Sequence, residues 1–256
     1  MNGCKMMKLE VFICSSREKM GIESARYTAE LIEDMLTRFD EINMVFAAAP
    51  SQNEFLHYLS MMEGIEWKRI NAFHLDEYLD LPKDAPQRFS NFLDERIFKR
   101  VPFKNVYYVD PSGDEDPEVL CERYEELLRD NPIHIACIGI GENGHVAFNE
   151  PSVADFNDPR LVKIVELEEK SRIQQVKDGC FERLEDVPKR AITMTIPAIM
   201  MADHIVCVVP GERKSDAVKD TLEGPVSTDC PASVLRRHPS VAIFLDEESA
   251  KLLGKG

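Results

Sequence analysis

What most constrains the fold of this chain is a rhythm. Short apolar runs alternate with longer amphipathic stretches from end to end. Residues 8–14 (KLEVFIC), 42–50 (INMVFAAAP), 69–75, 105–110, 133–140, 161–167, 204–210 and 240–246 read as strands. Residues 23–39, 52–62, 89–101, 116–130, 195–202, 212–224 and 247–253 carry apolar residues at helical spacing, and 231–237 is a helical turn or two. Ser51 is placed to cap the helix over 52–62, and Gly224 to end the one over 212–224. The run IHIACIGI over 133–140 is nearly all apolar, as suits a central parallel strand covered on both faces. Strands alternating with helices predict a three-layer α/β/α sandwich, a doubly wound and mostly parallel sheet, in one domain over residues 1–256. Ligands of such sheets bind at the carboxyl ends of the strands. That singles out residues 47–53, 74–80, 139–151 and 210–214.

Charge narrows the partners. The chain carries a net charge of −15, which repels nucleic acid and anionic lipid. An anionic substrate would be repelled too, unless a Lys or Arg stands inside its pocket. No apolar run reaches the roughly 18 residues of a membrane span. The first residues, MNGCKMMKLEVFICSS, lack the apolar core and cleavage site of a signal peptide, and the expected location is the cytoplasm. The seven cysteines, Cys4, Cys14, Cys121, Cys137, Cys180, Cys207 and Cys230, form no C-x-x-C and read as small thiols in a reducing compartment. No His/Cys spacing suggests zinc.

The richest strand exit is Gly139-Ile-Gly-Glu-Asn-Gly-His-Val-Ala-Phe-Asn-Glu-Pro151. Its glycines permit a sharp turn that exposes backbone amides, and His145 and Glu150 supply two titratable groups on one loop. The alternative is that the pair only stitches the loop. Gly139, Gly141 and Gly144 also fit G-x-G-x-x-G, but the dinucleotide fingerprint must open a helix, and HVAFNEP with Pro151 does not. At Phe73-His-Leu-Asp-Glu-Tyr78, two adjacent acids after a strand face different ways, so one can enter a pocket while the other anchors the loop. At Pro210-Gly-Glu-Arg-Lys214, Arg213 or Lys214 could be the required cation. In Ala47-Ala-Ala-Pro-Ser-Gln52, small residues allow close approach, and Ser51 with the following helix could hold a phosphate, or simply cap that helix.

Together these segments resemble the glucosamine-6-phosphate deaminase/isomerase family over almost the whole chain. GIGENGHVAFNEP is similar to its signature loop, FHLDEYLDLP to its F-x-x-D-E-Y strand end, VPGERKSDAV to its phosphate-closing segment, and LEGPVSTDCPASVLRRHPSVAIFLDEES to its C-terminal stretch. The related 6-phosphogluconolactonases share G-x-G-x-x-G-H but usually lack A-F-N-E-P. The resemblance implies no metal or organic cofactor, a small-molecule sugar phosphate as the partner, and room for a homo-oligomer. It implies conversion of an amino-sugar 6-phosphate, glucosamine or galactosamine, and water to a ketose 6-phosphate and ammonia. In it His145, supported by Glu150, opens the sugar ring, Asp76 moves the proton between C2 and C1, and Lys214 binds the phosphate. Ser51, Gln52 and Gly139 fall on substrate-binding positions. Proton abstraction beside a carbonyl needs a placed carboxylate, and ring opening suits a group titrating near neutrality.

The chain departs from the family at two points. Asn143 stands where the family usually has Asp, and A-A-P-S-Q replaces T-G-x-T/S-P. Asn143 can accept a bond from His145 but cannot stabilise its cationic form as Asp would, which leaves Glu150 as the nearest opposite charge. Alternatively, Asn143 supplies a left-handed turn before Gly144. Arg172, Gln174, Gln175 and Lys177 lie where a second phosphate cation is expected. A lactonase-like hydrolase, with His145 activating water, and a sugar-phosphate sensor without turnover are the competing functions.

Overall fold

The computed structural model describes residues 8–254 apart from residues 112 and 114. In chain order the strands and helices are β1 (Lys8–Cys14), α1 (Arg17–Arg38), β2 (Ile42–Phe46), α2 (Asn53–Met61), β3 (Ile70–His74), β4 (Asp76–Tyr78), α3 (Phe89–Leu93), β5 (Asn105–Tyr107), α4 (Pro117–Asp130), β6 (Ile135–Ile138), β7 (Val162–Glu166), α5 (Glu169–Lys177), β8 (Arg190–Met194), α6 (Ile196–Met200), β9 (His204–Val209), α7 (Ser215–Glu223) and β10 (Ser240–Asp246). Seven strands form one sheet in the order β1-β10-β9-β6-β2-β3-β5, every neighbouring pair parallel. A small antiparallel sheet, β4-β8-β7, stands beside it.

The layers follow from the period-two alternation of strand side chains. On β2, Ile42, Met44 and Phe46 enter one core with Met20, Ile32 and Met35 of α1 and Phe55 and Leu59 of α2. Val45 between them enters a second core with Leu120 and Tyr124 of α4, Ile199 of α6 and Val218 of α7. On β10, Phe244 faces the first core and Ile243 and Leu245 the second. Both faces are therefore dry, and the result is a three-layer α/β/α sandwich. Parallel register is fixed at the amino edge by a ladder of amides. Asn71 donates to Asn43 at 3.0 Å and Asn105 to Asn71 at 2.8 Å, each pair directly opposed across its strands.

The winding sets the site. From β2 the chain proceeds outward through β3 to β5, returns to β6 beside β2, then winds the other way through β9 and β10. The carboxyl ends of β2 and β6 flank the crevice at that reversal, the place where ligands enter such sheets.

Several local expectations change. The helix expected over 23–39 begins at Arg17, because Ser16 caps it by accepting from the Lys19 amide. Ser51 is not a cap. It lies in a 3₁₀ turn, Pro50–Gln52, ahead of α2, where Gln52 donates to its hydroxyl at 3.3 Å. Residues 89–101 form only one α-helical turn and then a π turn over Asp94–Phe98. Gly224 ends α7 with extended backbone, not a left-handed one, and a Cβ there would lie 2.6 Å from the Asp220 carbonyl oxygen. Residues 247–253 form hydrogen-bonded turns rather than a helix. The described cysteines are free and buried or half-buried; Cys4 lies outside the described residues.

Candidate active site

A cavity of about 300 Å³ opens at the carboxyl edge of the sheet. Its walls come from the exits of β2 (Ala47 to Gln52), β3 (Leu75, Asp76), β6 (Gly139 to Gly141, His145, Ala147, Phe148) and β9 (Pro210, Arg213, Lys214). Phe89 and the segment around α5 close the mouth. Its size lies at the lower end of small-molecule pockets, about 300–1,000 Å³. The structure brings Ser51, Gln52, Asp76, Gly139, His145 and Lys214 to this one space. Asn143 and Glu150 stand behind its wall.

The two acids at the β3 exit divide as the strand geometry requires. Asp76 lines the cavity, is only 5% exposed, and accepts no hydrogen bond from the described residues. Burial first, and the charge of Glu77 second, hold its pKa well above its ordinary value. Glu77 faces away and is fully buried. It accepts from the Phe89 and Ser90 amides at 3.0 Å, the Ser90 hydroxyl at 2.8 Å and Arg88 Nε at 3.3 Å. Arg88 in turn holds Asp110 at 2.8 Å. The anchored acid fixes the wall; the free one is a candidate base.

His145 is positioned by its own loop. Asn143 Oδ1 accepts from the His145 amide at 3.2 Å and lies 2.6 Å from Nδ1. An oxygen that already takes the amide proton is an acceptor, so Nδ1 carries the ring proton and Nε2 keeps its lone pair. Gly141 makes room for this ring: a Cβ there would fall 2.1 Å from Cε1 and 2.3 Å from each nitrogen. Gly144 takes the left-handed turn, with φ of 79°, and Ala147 is left-handed as well. Asn143 is not, so the turn-forming alternative for that residue does not hold. No helix follows β6 until α5, so the glycines do not make a dinucleotide fingerprint.

The electrostatics differ from expectation. Burial, then the charge of Lys214, push the His145 pKa down to about 3, so the imidazole is neutral at physiological pH instead of titrating near neutrality. Glu150 is not the compensating charge. Its Oε2 accepts from the Glu168 amide at 2.6 Å, and burial raises its pKa against the opposing pull of the Ser171 hydroxyl and that amide. It fixes the start of α5, and no described hydrogen bond joins it to the His145 ring.

The cations sort by their partners. Arg213 is held by Glu142 at 3.3 Å and by Asp178. Lys214 has no described ion pair, and burial pushes its pKa down to about 8. A poorly solvated ammonium facing a cavity favours an anion. Its placement begins at Asp246, the last residue of β10, whose carboxylate accepts the Gly211 amide at 3.0 Å through both oxygens and so holds the left-handed turn before Lys214. Arg172 does not reach the cavity; it donates to the carbonyls of Leu184 at 2.7 Å and Val187 at 2.9 Å. Gln174, Gln175 and the exposed Lys177 do line it. So does Arg17, at the exit of β1, a fifth strand end that the four chosen from sequence leave out. Among the described residues no group of three His, Cys, Asp or Glu is placed to hold a metal.

A carboxylate, a neutral imidazole and an unpaired ammonium at the switch point of a doubly wound sheet define an acid–base site for a small anion. Comparison with known proteins places the chain. It belongs to the glucosamine-6-phosphate isomerases/6-phosphogluconolactonase family, whose model matches residues 15–243. It is 39% identical over 232 residues to a glucosamine-6-phosphate deaminase of Bacillus cereus, covering 90% of this chain and 85% of the relative. A deaminase of the same name from Exiguobacterium sibiricum is 37% identical over 231 residues, with 90% and 89% covered. Among solved structures, a monomeric glucosamine-6-phosphate deaminase aligns with a TM-score of 0.85 at 29% identity, covering 95% of this chain and 99% of the other. A 6-phosphogluconolactonase from Thermotoga maritima, at 22% identity and a TM-score of 0.75, covering 93% and 100%, shares the fold.

Proposed function

We propose that this protein is a glucosamine-6-phosphate deaminase, converting the amino-sugar phosphate and water to a ketose 6-phosphate and ammonia. The observation that carries this reading is the convergence of Asp76, His145 and Lys214 on one cavity, with Asp76 accepting no hydrogen bond from the described residues. In this reading Lys214 and Ser51 hold the phosphate. His145 Nε2, its lone pair fixed by the bond at Nδ1, takes the proton of the anomeric hydroxyl and returns one to the ring oxygen, opening the ring. Asp76 removes the proton at C2 and delivers it to C1, while the C1 carbonyl oxygen takes a proton that the amine gives up, leaving an alcohol at C1 and an imine at C2. The imine left at C2 adds water and releases ammonia. Asn143 and Glu150 act from behind, on the imidazole and on α5 respectively.

An Asp76 pKa raised by burial suits a base that must first take and then give a proton. A lactonase needs no such shuttle, so Asp76 favours the deaminase. In this reading the residues that line the cavity belong to a single domain. The reading places the reaction in the cytoplasm, on galactosamine 6-phosphate if not glucosamine 6-phosphate. The test is ammonia release from the two amino-sugar phosphates, set against hydrolysis of 6-phosphogluconolactone. Turnover of the lactone alone would overturn the proposal, and binding without turnover would make the protein a sensor.

A further inference from the structure

Lys214 alone is a weak answer to a dianionic phosphate in a chain of net charge −15, and the residues expected to supply a second cation do not. Arg172 is spent on carbonyl groups, and Arg213 on Glu142 and Asp178. Lys177 is exposed at the mouth. The remaining cation on the wall is Arg17, in the first turn of α1. Its Nη2 donates to the carbonyl of Pro50 at 2.5 Å, which puts the guanidinium beside Ser51, and its Nε pairs with Glu54 at 2.8 Å. The Pro50 bond engages one of five N–H donors, the Glu54 contact is an ion pair without a hydrogen bond, and the side chain is 42% exposed. α1 packs in the first core and α7 in the second, so Arg17 and Lys214 come to the cavity from opposite layers of the sandwich.

We infer that Arg17 is the second cation of the anion site: with Lys214 it grips the phosphate monoester from the two faces of the sheet, and the carbonyl of Pro50 and the carboxylate of Glu54 aim its guanidinium. This rests on the reading of the cavity as a sugar-phosphate site. The fork geometry of arginine suits paired hydrogen bonds to phosphate oxygens.

The test is calorimetric titration of the full-length protein with inorganic phosphate, beside steady-state kinetics. Arg17→Ala should raise the Kd for phosphate and the KM for glucosamine 6-phosphate about ten- to a hundredfold, the scale of a charged hydrogen bond. Arg17→Lys should recover part of that loss. Glu54→Gln separates binding from scaffolding, because it removes the ion pair but leaves the guanidinium. Phosphate affinity should then hold or improve, as a competing negative charge is gone. Unchanged phosphate affinity in Arg17→Ala overturns the inference. So does a loss of affinity in Glu54→Gln equal to that in Arg17→Ala, which would make Arg17 a stitch between α1 and α2. If phosphate binding behaves as expected but no amino-sugar phosphate is turned over, the anion site stands and the proposed reaction falls.

Discussion

Replacing Gly141 with alanine isolates the geometry of the imidazole from everything else in the fold. The added Cβ would sit 2.1–2.3 Å from three atoms of the His145 ring. Ordinary carbon contacts begin near 3.5 Å, so the ring must move by roughly 1.4 Å. That movement breaks the 2.6 Å bond from Nδ1 to Asn143 and turns Nε2 away from its position. A misplacement of about 1 Å costs on the order of 10²-fold in rate, so kcat should fall at least that far. The displaced ring adds overpacking strain of about 1–3 kcal/mol, so Tm should fall modestly while the chain still folds. Gly141 is not among the left-handed glycines, so alanine fits its backbone. The gain of about 0.4–1 kcal/mol from a stiffer unfolded chain offsets the roughly 1 kcal/mol of one lost hydrogen bond. The assay pairs ammonia release with thermal melting and phosphate titration. A variant with normal Tm, normal phosphate affinity and kcat within a few-fold of the parent would refute the idea that the ring must stand where it does.

Three further outcomes follow from the same geometry. Lys214 titrates at about 8 in the free protein; it loses its charge as pH rises through that value, so kcat/KM should fall on the alkaline side, and Lys214→Arg should abolish that limb. An alkaline limb that survives in the arginine variant belongs to another group. Asp76→Asn should bind product analogues but stop exchange of the C2 hydrogen with solvent, read by NMR in deuterium oxide; continued exchange assigns the shuttle elsewhere. Asn143→Asp puts a negative charge against Nδ1 and should raise the His145 pKa from about 3 towards its ordinary 6.5. Because turnover needs the ring neutral as well as Asp76 ionised, kcat/KM should gain a second loss on the acid side as the imidazole protonates, and superimposable profiles would contradict this.

The large sheet was legible because burial on both faces forces continuous apolar runs. The bounds of β1 and β10 coincide with KLEVFIC and SVAIFLD. The division of labour between Asp76 and Glu77 was legible for a similar reason, since neighbours on a strand must point opposite ways. Of the small sheet only β7 was, within the run 161–167. β4 has three residues, and β4 and β8 find each other across more than a hundred residues of chain, which no local period records. α5 was missed as well, since it buries only Ser171 and Gln174 and carries little apolar pattern. Within the site, Asn143 could be read as a partner of His145 because only Gly144 separates them. Glu150 misled, because a loop can aim a carboxylate either way, and here it is aimed at the Glu168 amide. Arg17 was passed over because the helix was expected to begin only at residue 23 and the end of β1 was not among the strand exits chosen. The same rule that selected the other strand exits applies to β1.

The most direct test of the central claim is the fate of glucosamine 6-phosphate mixed with the purified protein in chelator-treated buffer, followed for both products at once. One ammonia per ketose 6-phosphate, with loss of both in Asp76→Asn and in His145→Ala, is the expected result. Unchanged glucosamine 6-phosphate, together with hydrolysis of 6-phosphogluconolactone that survives Asp76→Asn, would contradict it.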